Sequence, residues 1–123
     1  MDIKKLKGSV DELKEDVGEA LLSTDIWSTA DGQSIVGYNP QPKACALLNK
    51  VSSDLESSLK SSDLPELNRY YLLDLVDDKM VVVIPLADYQ WAMVLDKSKL
   101  QLGMLLNVIL PKMIDTFEEA MTS

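Results

Sequence analysis

The chain has 123 residues, 46% apolar and 26% charged, which suits one packed core but hardly two and is unlike a disordered composition. Its formal charge of -8, from 20 acidic and 12 basic side chains, is the wrong sign for binding phosphate backbones, where clustered Lys and Arg supply the affinity. It has no histidine and a single cysteine, Cys45, so it lacks an intramolecular disulfide, the commonest general base and the commonest transition-metal ligand.

In chain order, Ile3, Leu6, Val10, Leu13 and Val17 recur at helical spacing and leave Lys4, Lys5, Asp11, Glu12 and Glu15 for solvent. This predicts an amphipathic helix that ends near Gly18. Its early lysines precede no long apolar stretch, so the start matches neither a signal peptide nor a membrane anchor. The longest apolar runs, such as Val81 to Ile84, are too short to span a bilayer, and a cytoplasmic location without membrane insertion is the default expectation. Residues 21–30 and 34–38 read as strands around Asp31-Gly32, a strong hairpin signal because glycine accepts the positive φ of a tight turn.

Asn39-Pro40-Gln41-Pro42 breaks the strand, and Ala44, Leu48, Val51, Leu55 and Leu59 then predict a helix over 42–60, with Ser52, Ser53, Ser57 and Ser58 on its outer face. Residues 61–67, with Pro65, read as a loop. Three strands follow, over 69–76, 80–86 and 89–95, with connections short enough for hairpins. They are apolar on both alternating sets of side chains, so both faces of the sheet should be covered by helices. A last helix is expected from Ser98 as N-cap through Leu102, Leu105, Ile109, Met113, Phe117 and Met121, with a kink or break near Val108 to Leu110 imposed by Pro111. The order α-β-β-α-β-β-β-α gives an α+β fold with a five-stranded antiparallel sheet flanked by helices.

Nothing in this pattern carries catalytic chemistry. There is no phosphate loop, Gly103 stands without the glycines of a dinucleotide fingerprint, and Cys45 reads as a small buried hydrophobe. Asp77-Asp78 sits in a turn where adjacent acids point apart, and Asp11, Glu12, Glu15 and Asp16 form a solvated helix face. No catalytic residue, cofactor or metal is expected. Trp27 and Trp91 read as core residues that meet if the first strand pairs with the last. Tyr70 and Tyr71 should face opposite ways, one packed and one free to anchor a partner.

Three local patterns resemble the Roadblock dynein light chain family: the strand-turn-strand from Ile26 to Val36 around Asp31-Gly32, the strand and hairpin run from Tyr71 to Leu95 ending at Asp96, and Leu102-Gly103-Met104 opening the last helix. The resemblance spans nearly the whole chain. It implies a Roadblock-like domain over 19–123, with 1–18 as an N-terminal amphipathic helix that is a possible extension. It further implies a homodimer joined through edge strands and a partner that is a small Ras-like GTPase or a motor or scaffold protein, with no catalytic residue. Residues 68–76 lack the proline or inward charge of a protected edge, which places the dimer contact on Tyr70, Leu72 and Asp74 or on their alternates Arg69, Tyr71 and Leu73, together with the second helix. By the same resemblance, Asn49, Lys50, Ser53 and Ser57 on the second helix are the expected partner contacts. The alternative is a sensory module of profilin-like or sensor-domain type holding a small ligand between sheet and helix, which requires a roomy pocket with convergent polar groups.

Overall fold

The computed structural model describes all 123 residues, Met1–Ser123. The first helix, α1 (Ile3–Val17), is capped by Asp2, whose side chain accepts the Lys5 N–H at 3.2 Å, and ends at Gly18 with φ 66°. After a short 3₁₀ turn come β1 (Leu21–Ser28), β2 (Ser34–Tyr38), the long α2 (Pro42–Ser61), β3 (Tyr71–Asp74), β4 (Lys79–Leu86) and β5 (Tyr89–Asp96). A 3₁₀ turn (Lys97–Lys99) then leads to α3 (Leu102–Met104), a π-helical turn (Leu105–Ile109) and α4 (Leu110–Thr122).

The five strands form one antiparallel sheet in the order β2-β1-β5-β4-β3. Because side chains alternate across a strand, the two faces receive different sets. Ile26, Val82, Ile84, Trp91 and Met93 join Leu6, Val10, Leu13 and Val17 of α1 and Leu110, Met113 and Phe117 of α4 in a core of 21 buried residues. On the other face Trp27, Val81, Val83 and Ala92 meet only Cys45 and Leu48 of α2, in a cluster of six. The N-terminal helix is thus packed into the larger core; the Asp2 N–H also reaches the Ala120 carbonyl at 2.9 Å, and Lys112 pairs with Asp16 at 2.9 Å.

Three expectations are corrected, and the break expected before Pro111 takes the form of a π turn. β1 does pair with β5, but Ile26 lies opposite Trp91 and Trp27 opposite Gln90, so the two tryptophans sit on opposite faces. Trp91 instead packs edge-on against Phe117, ring centroids 5.6 Å apart at 76°. β3 is half as long as its apolar run. Leu75 N–H bonds the Lys79 carbonyl, and stepping by two residues along this ladder brings Arg69 opposite Pro85, which has no N–H to give.

Ser98 lies in the 3₁₀ turn, where Asp96 accepts both its N–H (3.0 Å) and its hydroxyl (2.6 Å); these bonds hold the Asp96 carboxyl below its ordinary pKa. Four residues later the helix proper begins. Pro111 is accommodated by widening the turn before it, with Leu110 N–H bonding the Leu105 carbonyl, so the helical path continues through the π turn.

Candidate protein-interaction site

The thinner face of the sheet is organised by α2. No side chain of its own caps this helix; Asp25 of β1 does so from across the fold, accepting the Gln41 N–H at 3.0 Å and the Ser34 hydroxyl at 2.6 Å. Close approach of the strands demands Gly37 here, since a Cβ at that position would lie 2.6 Å from Asp25 Oδ1. One buried carboxylate therefore ties β1, β2 and the helix start together. Burial, followed by the charge of Asp25, pushes the Cys45 thiol up to about 12. Between α2 and the sheet near this point lies a gap of about 10 Å³, lined by residues such as Trp27, Cys45 and Leu48.

Along its length α2 fully buries only Cys45, Leu48 and Ser52. Val51, Leu55 and Leu59 are half-buried, and Leu47 is 61% exposed. Ser52 meets the Tyr71 hydroxyl at 2.6 Å, which binds the helix to the outermost strand. Tyr71 and Leu73 pack on this α2 face, whereas Tyr70 packs against the larger core. Leu72, opposite Val82, shares the face of Tyr70 and is 36% exposed. Burial raises the pKa of Tyr71 despite the bond to Ser52. Arg69 and Asp74 are exposed at the two ends, Asp74 pairing with Lys97. β3 has a single neighbour, β4, so one side of its backbone is unpaired. Beyond it Leu75 is exposed and Val76 is 83% exposed, at a turn where Asp77 and Asp78 adopt φ of 60° and 57°.

The polar flank of α2 overhangs the tip of the β4–β5 hairpin. Asn49, Lys50 and Ser53 lie in the wall of a cleft of about 640 Å³, opposite Thr29, Asp88 and Gln90. Ser57 is exposed but does not line it. Asn49 is already committed within the fold, accepting from Trp27 Nε1 (3.2 Å) and donating to the Thr29 carbonyl (3.1 Å). Lys50 pairs with Asp54 at 3.0 Å, one helical turn on. A second cleft, of about 700 Å³, shares Glu56 and Ala87 with the first and extends past Lys60 to Asn68, just before β3. The first cleft thus gathers three of the residues singled out on α2, and the second reaches Asn68 but none of the set from Arg69 to Asp74. Glu56, Asp88 and Gln90 were not singled out. Gln90 did carry a signal, as an amide inside the otherwise aromatic and aliphatic run 89–95.

No helix is long and apolar enough to cross a membrane. No protein-family model matches the sequence, and no curated protein does. Among solved structures, Myxococcus xanthus MglB superposes with a TM-score of 0.82 at 13% identity, over 98% of this chain and 90% of that one. The Roadblock/LC7 domain from Streptomyces avermitilis gives 0.69 at 16% identity, covering 100% of both chains. Profilin II of Acanthamoeba castellanii is a weaker match, 0.58 at 17% identity over 90% of this chain and 94% of that one. The chain has the Roadblock-like fold that its sequence patterns resemble.

Proposed function

We propose that this chain is a non-enzymatic protein-interaction domain that works as a homodimer and serves as a regulator or scaffold for a small Ras-like GTPase. The observation that carries the reading is the unequal finish of the sheet. One face is sealed by α1 and α4, while α2 leaves Leu47, Val51, Leu73 and the unpaired side of β3 at or near the surface. An unpaired edge strand flanked by apolar side chains favours pairing with another strand. The proposed dimer contact comprises Arg69, Tyr70, Tyr71, Leu72, Leu73 and Asp74, and the proposed GTPase contact lies on the α2 flank that carries Lys50, Ser53 and Ser57. Motor or scaffold proteins would use the same surface.

The ligand-sensor reading receives less support, because the gap enclosed between the start of α2 and the sheet is only about 10 Å³, while the larger clefts beside α2 are open grooves lined mainly by polar side chains rather than apolar pockets. Light scattering on the wild type and Leu72→Asp tests the proposal. The expected result is a wild-type dimer dispersed by the substitution into folded monomers, since a carboxylate at a paired edge opposes burial. A wild-type monomer would sink the shared-sheet dimer. With a dimer in hand, binding of small Ras-like GTPases loaded with GDP or a GTP analogue, measured by calorimetry, tests the partner class.

A further inference from the structure

At the corner where β5 leads into α4, the short α3 and the π turn leave apolar surface uncovered. Leu102, Met104 and Val108 are 52%, 48% and 55% exposed, and Met104 and Val108 stand four residues apart on the helical path. Beside them a cavity of about 130 Å³ is lined by Met80, Leu95, Lys97, Leu100, Leu102 and Leu105, five apolar side chains and one cation. That volume falls well below the roughly 300–1,000 Å³ of a pocket for a small organic ligand, but it admits one aliphatic side chain. Exposed apolar surface around a cavity of this size has the form of a protein interface with an anchor pocket.

The charge around the patch defines its occupant. Residues 97–114 contain three lysines and no acidic residue, although the chain has 20 acidic side chains and a formal charge of -8. Lys97 pairs with Asp74 and Lys112 with Asp16, whereas Lys99 is exposed and in no ion pair. Another acid-free stretch, 33–53, surrounds the exposed Leu47, but the gap beneath it is about 10 Å³ and has no room for a side chain.

We infer that this corner docks an amphipathic, acidic segment of a protein partner. One aliphatic side chain of the segment fills the cavity, its apolar neighbours cover Met104 and Val108, and a carboxylate meets Lys99. Opposite charge at the rim orients such a segment, and the acidic remainder of the chain keeps it from the other faces. A lipid surface suits the patch less, because acidic flanks would be pressed against anionic headgroups. Met80, Leu95 and Leu105 belong to the core on the side of the sheet away from α2, so this partner leaves the α2 flank free. The inference goes beyond the proposed dimer and GTPase contact and depends on neither. It gives the domain the second partner surface that a scaffold needs.

The test follows the ¹⁵N- and methionine-methyl-labelled chain by NMR during titration with an N-acetylated, amidated peptide. Its leucines recur at spacings of three and four, and its other positions are Glu and Gln; a twin with Lys in place of Glu is the control. The expected outcome is saturable shifts of the Met80 and Met104 methyls and of the Lys99, Leu102 and Val108 amides. Added salt should weaken them, and the lysine twin should bind about tenfold or more weakly. Val108→Asp should abolish the shifts and Lys99→Glu should weaken binding severalfold. Lys99 lies in an exposed turn, so its variant keeps the test decisive if Val108→Asp fails to fold. Absence of shifts, equal binding of the twin, or shifts centred on Lys43, Leu47 and Lys50 would overturn the inference. So would shifts produced by phosphatidylcholine–phosphatidylserine vesicles but not by the peptide, or by raising the concentration of the chain alone, which assign the patch to lipid or to a second copy. Light scattering on the same samples separates the proposals. A monomer that binds the acidic peptide removes only the dimer, and a dimer that ignores it removes only this inference.

Discussion

The face of the sheet under α1 and α4 and the face under α2 solve the same packing problem to different degrees. On the first, two helices bury a continuous core in which Trp91, Phe117, Leu6 and Leu110 are completely enclosed. On the second, one helix lies over a small cluster, and polar contacts do much of the holding: Asp25 at the helix start, Asn49 in its middle and Ser52 against Tyr71. Stability resides mainly on the first face, and the second is left with surface to share. Hydrogen bonds position α2 without the apolar area that would make it self-sufficient.

This contrast can be broken at measurable points. Phe117→Ala, which opens a cavity beneath Trp91, should cost about 3–5 kcal/mol in urea unfolding and leave the chain close to its stability limit. A loss near that size for Leu48→Ala under α2 would erase the distinction between faces. Asp25→Ala should cost less, about 1–3 kcal/mol, by stranding the Gln41 N–H and the Ser34 hydroxyl. Its signature would be faster hydrogen exchange confined to the first turns of α2. Leu47→Ser should change stability by no more than about 0.5 kcal/mol, yet lower dimer affinity if this flank belongs to the shared surface.

The smallest effect is one of pH. Cys45 stays protonated in the fold up to about 12, against 9.0 for a free thiol, so its contribution is complete below pH 9. Above that the unfolded chain ionises first, and stability falls as pH rises toward the folded value. Cys45→Ala should flatten that part of the profile, and wild-type Cys45 should resist a thiol reagent at pH 8 until the chain unfolds.

Much of the fold was legible from local pattern. The spacing of Leu6, Val10, Leu13 and Val17 announced both α1 and its buried side, and the doubly apolar strands announced cover on both faces. The candidate site was legible only in part. The edge position of β3 could be expected from its apolar run, but its short length depends on Pro85, which becomes relevant only once β4 lies alongside. Asn49 looked like a free polar group on an outer face. Trp27 and Thr29, some twenty residues earlier in the chain, occupy both ends of its amide. Gln90 stood out as polar within an apolar run, but nothing local distinguished a satisfied amide from an unpartnered one.

By itself the sequence determined the order and type of the main helices and strands, because periods of 3.6 and 2 and the turn chemistry of Asp31-Gly32 act between near neighbours in the chain. It also determined that the surface is acidic and that no histidine or second cysteine is present. Tertiary structure alone decided which residues share a face and which polar groups find partners. Strand register is set by pairing between distant segments, and a shift of one residue moves every side chain to the other side. For that reason Trp27 and Trp91 are separated by the sheet, and Gln90 lies beneath the polar flank of α2 with an acceptor unfilled.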